Sequence, residues 1–440
     1  MNDTIVAIST ALGVGAISII RVSGDDAIKY VNSVFKGKNL NEVESHTINY
    51  GFIVDDKKII DEVLVSVMRA PKTFTREDVV EINVHGGIAT TNKVLELLLR
   101  TGCRLAEPGE FTKRAFLNGR IDLIEAEGVM DLINAKTEKS RSLALNQVSG
   151  TVSNLIIELR KELVDTIANI EVNIDYPEYE DIEVMSVEMV KNNIKSIREK
   201  INNILNKSEN GKIIKDGIKT VIIGRPNVGK SSILNRLLEE EKAIVTDIAG
   251  TTRDIVEGDI SIDGIVLNII DTAGIRETDD LVESLGVKKS LSLIDEADLV
   301  LFVLNNNEEL TQDDKEILDK IKNKNSIVII NKNDLEIKLN EKEIDNPNII
   351  RISAINNEGI DLLKNKIKEL FNMEMIEQSD YTYLSSARSI SLLRKALDAL
   401  DNVEKGINNN MPIDMVEIDL KEVWTLLGDI IGANYSEDLI

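Results

Sequence analysis

The chain has one cysteine, Cys103, and two histidines, His46 and His85, in 440 residues. A disulfide within the chain needs two thiols, and a multi-cysteine zinc or iron–sulfur site needs more, so both are excluded. Two imidazoles and one thiol also argue against a His/Cys metal cluster; Cys103 reads as a buried, inert thiol. Aromatic residues make up 3% of the chain, which leaves a core of aliphatic side chains. Positive charge is scarce as well: 52 Lys and Arg stand against 76 Asp and Glu, a net charge of −24. That balance disfavours a protein holding nucleic acid by broad electrostatic attraction, although a local basic patch is compatible with it. Long apolar runs are missing. The uncharged stretch from Thr4 to Ile20 is interrupted by Gly13 and Gly15, follows Asp3 rather than a basic leader, and shows no small-residue cleavage site before Arg21. Nothing else approaches the ~20 apolar residues of a membrane span. The expectation is a cytoplasmic protein of roughly three domains, at about 150 residues each.

What is present divides the chain by periodicity. Val63, Val65 and Val67 alternate with Leu64, Ser66 and Met68, and Asp78–Val84 is a second strand-like run closed by His85-Gly86-Gly87. A helix follows, with Val94, Leu97 and Leu98 on one face and Gly102 at its end. The first ~120 residues therefore read as mixed α/β. From about Ile121 the period becomes helical: Val152, Leu155, Ile156, Leu159, Leu163, Ile167 and Ile170 recur at three and four, as do Val187, Val190, Ile194, Ile197, Ile201 and Ile204. Near Lys215 strand, glycine loop and helix begin to alternate, to about Phe371, the pattern of a parallel sheet covered on both faces. Beyond Ile376 the helical stripe returns, with Leu393, Leu397, Leu400, Val416, Leu420, Val423, Leu427 and Ile430. Two half-bundles separated by an α/β unit imply an inserted domain, because each half lacks a packing partner alone.

Four motifs in the α/β unit carry chemistry. Gly224-Arg225-Pro226-Asn227-Val228-Gly229-Lys230-Ser231, followed by Ser232, sits between the strand Thr220–Ile223 and the helical run from Ile233. This is the phosphate-cradling loop: amides at the helix start face the phosphates, Lys230 reaches the β and γ groups, and the Ser231 hydroxyl ligates Mg²⁺. Asp271-Thr272-Ala273-Gly274 ends the strand Val266–Ile270, placing a carboxylate for the Mg²⁺ shell and a glycine amide for the γ-phosphate. Asn331-Lys332-Asn333-Asp334 ends the strand Ile327–Ile330. There the Asp334 carboxylate accepts from N1–H and the 2-amino group of guanine, a pair of donors that adenine lacks. Ser353-Ala354 closes over the base with backbone amides. Each tetrapeptide is weak alone; the four in this order specify a guanine-nucleotide domain.

The run Thr246-Asp247-Ile248-Ala249-Gly250-Thr251-Thr252-Arg253-Asp254 resembles switch I of the TrmE-Era-like GTPases. The chain as a whole, from Asp3-Thr4-Ile5-Val6-Ala7 through Pro108-Gly109-Glu110-Phe111, Arg114–Arg120 and Asp122-Leu123, resembles the MnmE (TrmE) family of tRNA modification GTPases. The resemblance implies a multidomain α/β protein: an α+β folate-binding and dimerisation domain over 1–119, a helical domain over 120–215 and 376–440, and a G domain inserted over 216–375. It implies a homodimer acting with the flavoprotein MnmG, which carries FAD, in a heterotetramer. The implied reaction uses GTP hydrolysis and a tetrahydrofolate one-carbon unit, 5,10-methylenetetrahydrofolate or a related folate. It forms the 5-carboxymethylaminomethyl or aminomethyl group on wobble uridine 34 of tRNA, which is held mainly through the partner.

The same resemblance assigns residues. It places GTP on Asn227, Val228, Gly229, Lys230, Ser231 and Ser232, on Thr246 through Thr252 (Asp247, Ile248, Ala249, Gly250 and Thr251 between them), on Asp271, Thr272, Ala273 and Gly274, and on Asn331, Lys332, Asp334, Ser353 and Ala354. Mg²⁺ falls on Ser231 and Thr252, and K⁺ on Asn227, Thr246, Ile248 and Thr251. A monovalent cation there offsets charge developing on the phosphates, as an arginine finger does. Ile275 stands where Ras-like enzymes carry a water-positioning glutamine; the family's switch II glutamate falls instead on Glu283, the catalytic candidate beside Lys230. Read without the family, Glu283 is a solvated helix-face carboxylate. The implied folate residues are Arg21, Glu81 and Arg120: a pterin suits a carboxylate and a glutamyl tail suits arginines. By themselves Arg21 at a strand end and Arg120 at a helix start are ordinary surface charges, and His85 is a satisfied turn residue.

Two other classes share these motifs, a GTPase that binds ribosomal RNA and a folate-dependent one-carbon enzyme carrying a G domain. The first carries an RNA-binding domain after its G domain, whereas the tail here is acidic and helical without a basic Gly-x-x-Gly loop. The family also continues past Tyr435–Ile440 to a Cys-x-Gly-Lys end whose cysteine is implicated in modification. The expectation for a 440-residue form is that GTP hydrolysis survives and carbon transfer to uridine does not.

Overall fold

The computed structural model describes residues 3–175, 187–240, 259–270, 292–373, 382, 384–409 and 411–433. They fall into two compact units, one of 3–129 with 428–433 and one of the other described residues between 130 and 427.

The first unit is built on a seven-stranded sheet with strand order β3-β4-β5-β6-β2-β1-β7. The strands are β1 (Ile5–Ile8), β2 (Ile17–Ser23), β3 (Phe35–Gly37), β4 (Thr47–Asp55), β5 (Lys58–Met68), β6 (Val79–His85) and β7 (Arg104–Leu105). All neighbours are antiparallel except β1 with β7. The alternation decides the faces: Val63, Val65 and Val67 of β5 and Val80, Ile82 and Val84 of β6 are buried, while Leu64 points out. Helices α1 (Ala27–Val34) and α2 (Ile88–Thr101) cover the buried face, packing Val31, Val94 and Leu98 onto it. Gly102 ends α2 at φ 118°, a conformation only glycine adopts freely. Helix α3 (Glu110–Leu117) follows β7, and α4 begins at Leu123.

The second unit joins a helical bundle to a six-stranded sheet. Helices α6 (Thr151–Asp175) and α7 (Val187–Asp216) carry the stripes seen in the sequence, and α5 (Glu138–Val148) packs against both. Ile156, Leu163, Ile170, Ile194 and Ile201 are all buried. The helix Ala387–Asn408, which returns from the α/β unit, packs along α7, where Arg198 pairs with Asp401 and Glu404. The half-bundles before and after the sheet thus complete each other.

That sheet has the order β13-β12-β11-β8-β10-β9, with β8 (Ile218–Ile223), β9 (Asp259–Ile262), β10 (Ile265–Ile270), β11 (Leu299–Asn305), β12 (Ser326–Asn331) and β13 (Ile349–Arg351). Only the β9–β10 pairing is antiparallel. Every residue of β11 and β12 is buried, as central strands of a parallel sheet must be. Parallel pairing sends the C-terminal ends of β8, β11, β12 and β13 to one edge, where ligands of such sheets bind.

Candidate functional site

At that edge β8 ends in Ile223 and the chain turns through Gly224 (φ 148°), Asn227 (φ 63°) and Gly229 (φ 100°) into the helix α8, Lys230–Glu240. A Cβ on Gly224 would meet the Val303 carbonyl at 2.3 Å, and one on Gly229 the Asn331 amide nitrogen at 2.1 Å, so neither position admits a side chain. The Lys230 ammonium donates to the carbonyls of Gly224 (2.8 Å) and Arg225 (2.9 Å) inside the loop, and burial lowers its pKa.

Strand β12 delivers Asn331, a buried side chain that works in both directions. Its Nδ2 donates to the Val228 carbonyl at 2.8 Å, and its Oδ1 accepts from the Ala354 amide at 3.2 Å. Lys332 takes a left-handed backbone, φ 62°, and Asp334 beyond it is exposed. The Ser353 hydroxyl donates to Asp334 Oδ1 at 2.6 Å, which orients the carboxylate. Asn227 through Ser232, Asn331, Lys332, Asp334, Ser353 and Ala354 therefore gather at one sheet edge. Thr246–Thr252, Asp271–Gly274 and Glu283 lie outside the described residues.

Two contributors carry no motif. Arg236, on α8, donates from Nε to the Ala354 carbonyl (2.9 Å) and from Nη2 to that of Ile355 (3.3 Å), clamping the Ser-Ala loop. Asn306, after β11, donates its amide to the Asn331 carbonyl (2.9 Å) and accepts from the amides of Lys338 (2.9 Å) and Leu339 (3.2 Å). The sequence signal for either is position alone: nearly two turns into the helix after the phosphate loop, and just past a buried strand.

In the first unit Arg21 and Glu81 are register partners on β2 and β6. Arg21 Nε donates to Glu81 Oε1 at 2.8 Å, with Nη2 2.7 Å from the same oxygen, in a pair 32% and 23% exposed. Arg21 thus lies in the body of β2 rather than at a strand end, because the cross-strand carboxylate compensates its charge there. Its guanidinium carbon also lies 5.6 Å from the Phe111 ring centre. Arg120 is exposed, in the turn between α3 and α4 rather than at a helix start, its guanidinium carbon 5.7 Å from the Phe74 ring centre. His85 ends β6 with its imidazole on Asp61 Oδ1 at 2.7 Å, which raises its pKa. Cys103 is buried, its thiol pKa pushed up to about 11 by that burial.

A mostly parallel sheet that presents a glycine phosphate loop, an Asn-Lys-x-Asp turn and a Ser-Ala loop at one edge defines a P-loop GTPase. Family comparisons extend this. Residues 123–440 match the model of the MnmE helical domain, and residues 4–120 that of the GTP-binding protein TrmE N-terminus. The tRNA modification GTPase MnmE of Streptococcus thermophilus (strain CNRZ 1066) is 55% identical over 440 residues, which span 100% of this chain and 96% of that protein. Its counterpart of the same name in Lactococcus lactis subsp. lactis (strain IL1403) is 55% identical over 438 residues with the same coverage. The chain belongs to the MnmE family of tRNA modification GTPases. Among solved structures, the FeoB G-domain from Methanococcus jannaschii covers 35% of this chain and 97% of its own at 19% identity and a TM-score of 0.26, too slight a likeness to carry an argument.

Proposed function

We propose that the chain hydrolyses GTP in a K⁺-dependent manner and couples turnover to building an aminomethyl-type group on C5 of wobble uridine 34 in tRNA, using a tetrahydrofolate one-carbon unit. In this reading residues 1–119 bind folate and dimerise, 216–375 turn over GTP, and 120–215 with 376–440 connect them. A flavoprotein partner, MnmG, supplies FAD and most of the tRNA contact. The observation that carries the nucleotide reading is the exposed Asp334 carboxylate, oriented by Ser353, beside a phosphate loop buttressed by Asn331.

The residues suit the groups they are to hold. The glycines of the phosphate loop, which admit no Cβ, leave backbone amides at the start of α8 for the phosphates. Ser231 and Thr252 would hold Mg²⁺, with Asp271 toward its shell. Asn227, Thr246, Ile248 and Thr251 would hold K⁺, which supplies positive charge at the phosphates. Glu283 would orient the attacking water. Both Arg21 contacts fall on one Glu81 oxygen, which leaves the other for the N–H donors of a pterin, and Arg120 would meet the carboxylates of a glutamyl tail. Among the described residues no helix is long and apolar enough to cross a membrane.

The test is one preparation assayed twice: for GTP turnover in K⁺, and for binding of 5-formyltetrahydrofolate. Both activities are expected. Turnover without folate binding would favour the RNA-binding GTPase class; folate binding without turnover would favour a one-carbon enzyme with a vestigial G domain.

A further inference from the structure

Arg225 is the second residue of the phosphate loop, yet its side chain leaves the loop. Its Nη1 lies 2.9 Å from Glu308 Oε2, its Nε lies 3.1 Å from Asp314 Oδ2, and its Nη2 donates to the Glu309 carbonyl at 3.4 Å. Its own backbone carbonyl points the other way and accepts from the Lys230 ammonium. One residue therefore carries an outward anchor and an inward acceptor for the lysine that is to meet the phosphates.

The anchor is set by burial. Asp314 has no exposed surface, and it caps the helix Gln312–Ile321: its Oδ2 accepts from the Thr311 amide (2.9 Å) and hydroxyl (2.8 Å). A buried carboxylate without a cation is costly, so Asp314 holds Arg225 in place as firmly as Arg225 compensates Asp314. The segment that receives Arg225, residues 305–309, also grips the other end of the nucleotide site. Asn306 there bonds the Asn331 carbonyl and, through Nδ2, the Leu335 carbonyl at 3.4 Å, on either side of the guanine-reading Asp334. The phosphate loop and the base-reading turn share one mooring, and Arg225 is the phosphate loop's line to it.

We infer that Arg225, held by Asp314 and Glu308, is a positioning residue for nucleotide binding. It sets the backbone at 224–225 from which Lys230 is presented, in register with the base-reading turn. The inference rests on the GTPase reading above and adds to it a residue that does not touch the nucleotide.

The test compares Arg225→Gln and Arg225→Lys with the unaltered full chain, by GDP affinity, by KM and kcat for GTP, and by the melting temperature without nucleotide. Arg225→Gln is expected to raise KM and weaken GDP binding about tenfold while kcat at saturation stays within about twofold, the signature of lost ground-state binding. Arg225→Lys, which keeps the charge without the fork, is expected to restore part of that affinity. Asp314→Asn combined with Arg225→Gln should cost less than the sum of the single changes, because both break one link. A folded Arg225→Gln with unaltered GDP affinity, or a loss confined to melting temperature, overturns the positioning role. Failure of the unaltered chain to bind GDP overturns the GTPase reading instead.

Discussion

Asn331 and Val228 stand 103 residues apart in sequence and are joined by one hydrogen bond, from Asn331 Nδ2 to the Val228 carbonyl at 2.8 Å. The first residue of the Asn-Lys-Asn-Asp motif is thus tied into the phosphate loop. Its other side-chain atom takes the Ala354 amide, so one carboxamide brings three segments together.

Asn331→Ala leaves two buried backbone groups without partners, at about 1–3 kcal/mol each. GDP affinity is expected to fall tenfold or more, and calorimetric titration measures it. Gly229→Ala should produce a similar loss by pushing the Asn331 side chain away, since the added carbon has no room beside it. Parent-like binding by both variants would show that the tie is dispensable.

Asp334→Asn exchanges an acceptor for a donor at a base that also presents donors. Preference should pass from guanine to xanthine, whose position 2 carries an oxygen. Competition of labelled GTP with xanthosine triphosphate reads the change, expected at tenfold or more in the ratio of affinities. Undiminished guanine preference would remove Asp334 from the role of reader.

Potassium is expected to accelerate GTP hydrolysis over sodium. Asn227 holds a left-handed backbone at φ 63° within the phosphate loop, and the other proposed ligands belong to Thr246–Thr251. Asn227→Ala should remove the difference between the two salts while leaving guanine preference intact. Equal turnover of the unaltered chain in K⁺ and Na⁺ would end this assignment.

Much of this was legible in the sequence because it is local. The alternation in β5, the stripe of α6 and the glycine spacing of the phosphate loop are each contained within a few turns of chain. What stayed hidden are pairings between distant residues of ordinary type. Arg225 is one position of the phosphate-loop motif in the sequence, and its partner Asp314, wholly buried against it, stands 89 positions on. Arg21 read as a surface charge because nothing nearby announces Glu81, its partner across two strands. Asn306 stands in a run of three asparagines with nothing in the sequence to mark it, and only the fold shows its backbone bonded to Asn331, Lys338 and Leu339.

In the first unit Arg114 is 1% exposed and surrounded by carboxylates, which makes that unit sensitive to acid. Its Nη2 lies 3.1 Å from Glu110 Oε1 and 2.8 Å from Asp3 Oδ1, its Nη1 3.1 Å from Glu77 Oε1, and Arg104 reaches Glu110 from the other side. Arg104, first among several donors, holds the Glu110 carboxyl down at about 2, against an ordinary 4.5. A carboxyl depressed in the folded state stabilises fully above its unfolded pKa and loses that contribution as pH falls through the folded value. Acid should therefore loosen this unit between about pH 4.5 and pH 2, and Glu110→Gln should flatten the dependence in that window. Arg114→Ala removes the cation that faces Glu77, while Glu110 keeps Arg104, and is expected to cost about 3 kcal/mol. Hydrogen exchange of the β1 amides, Ile5–Ile8, reports on this region directly, because Arg114 fastens Asp3 just ahead of that strand. Exchange in β1 that is unchanged by Arg114→Ala, or by acid across that window, would show that the cluster does not hold the start of the chain.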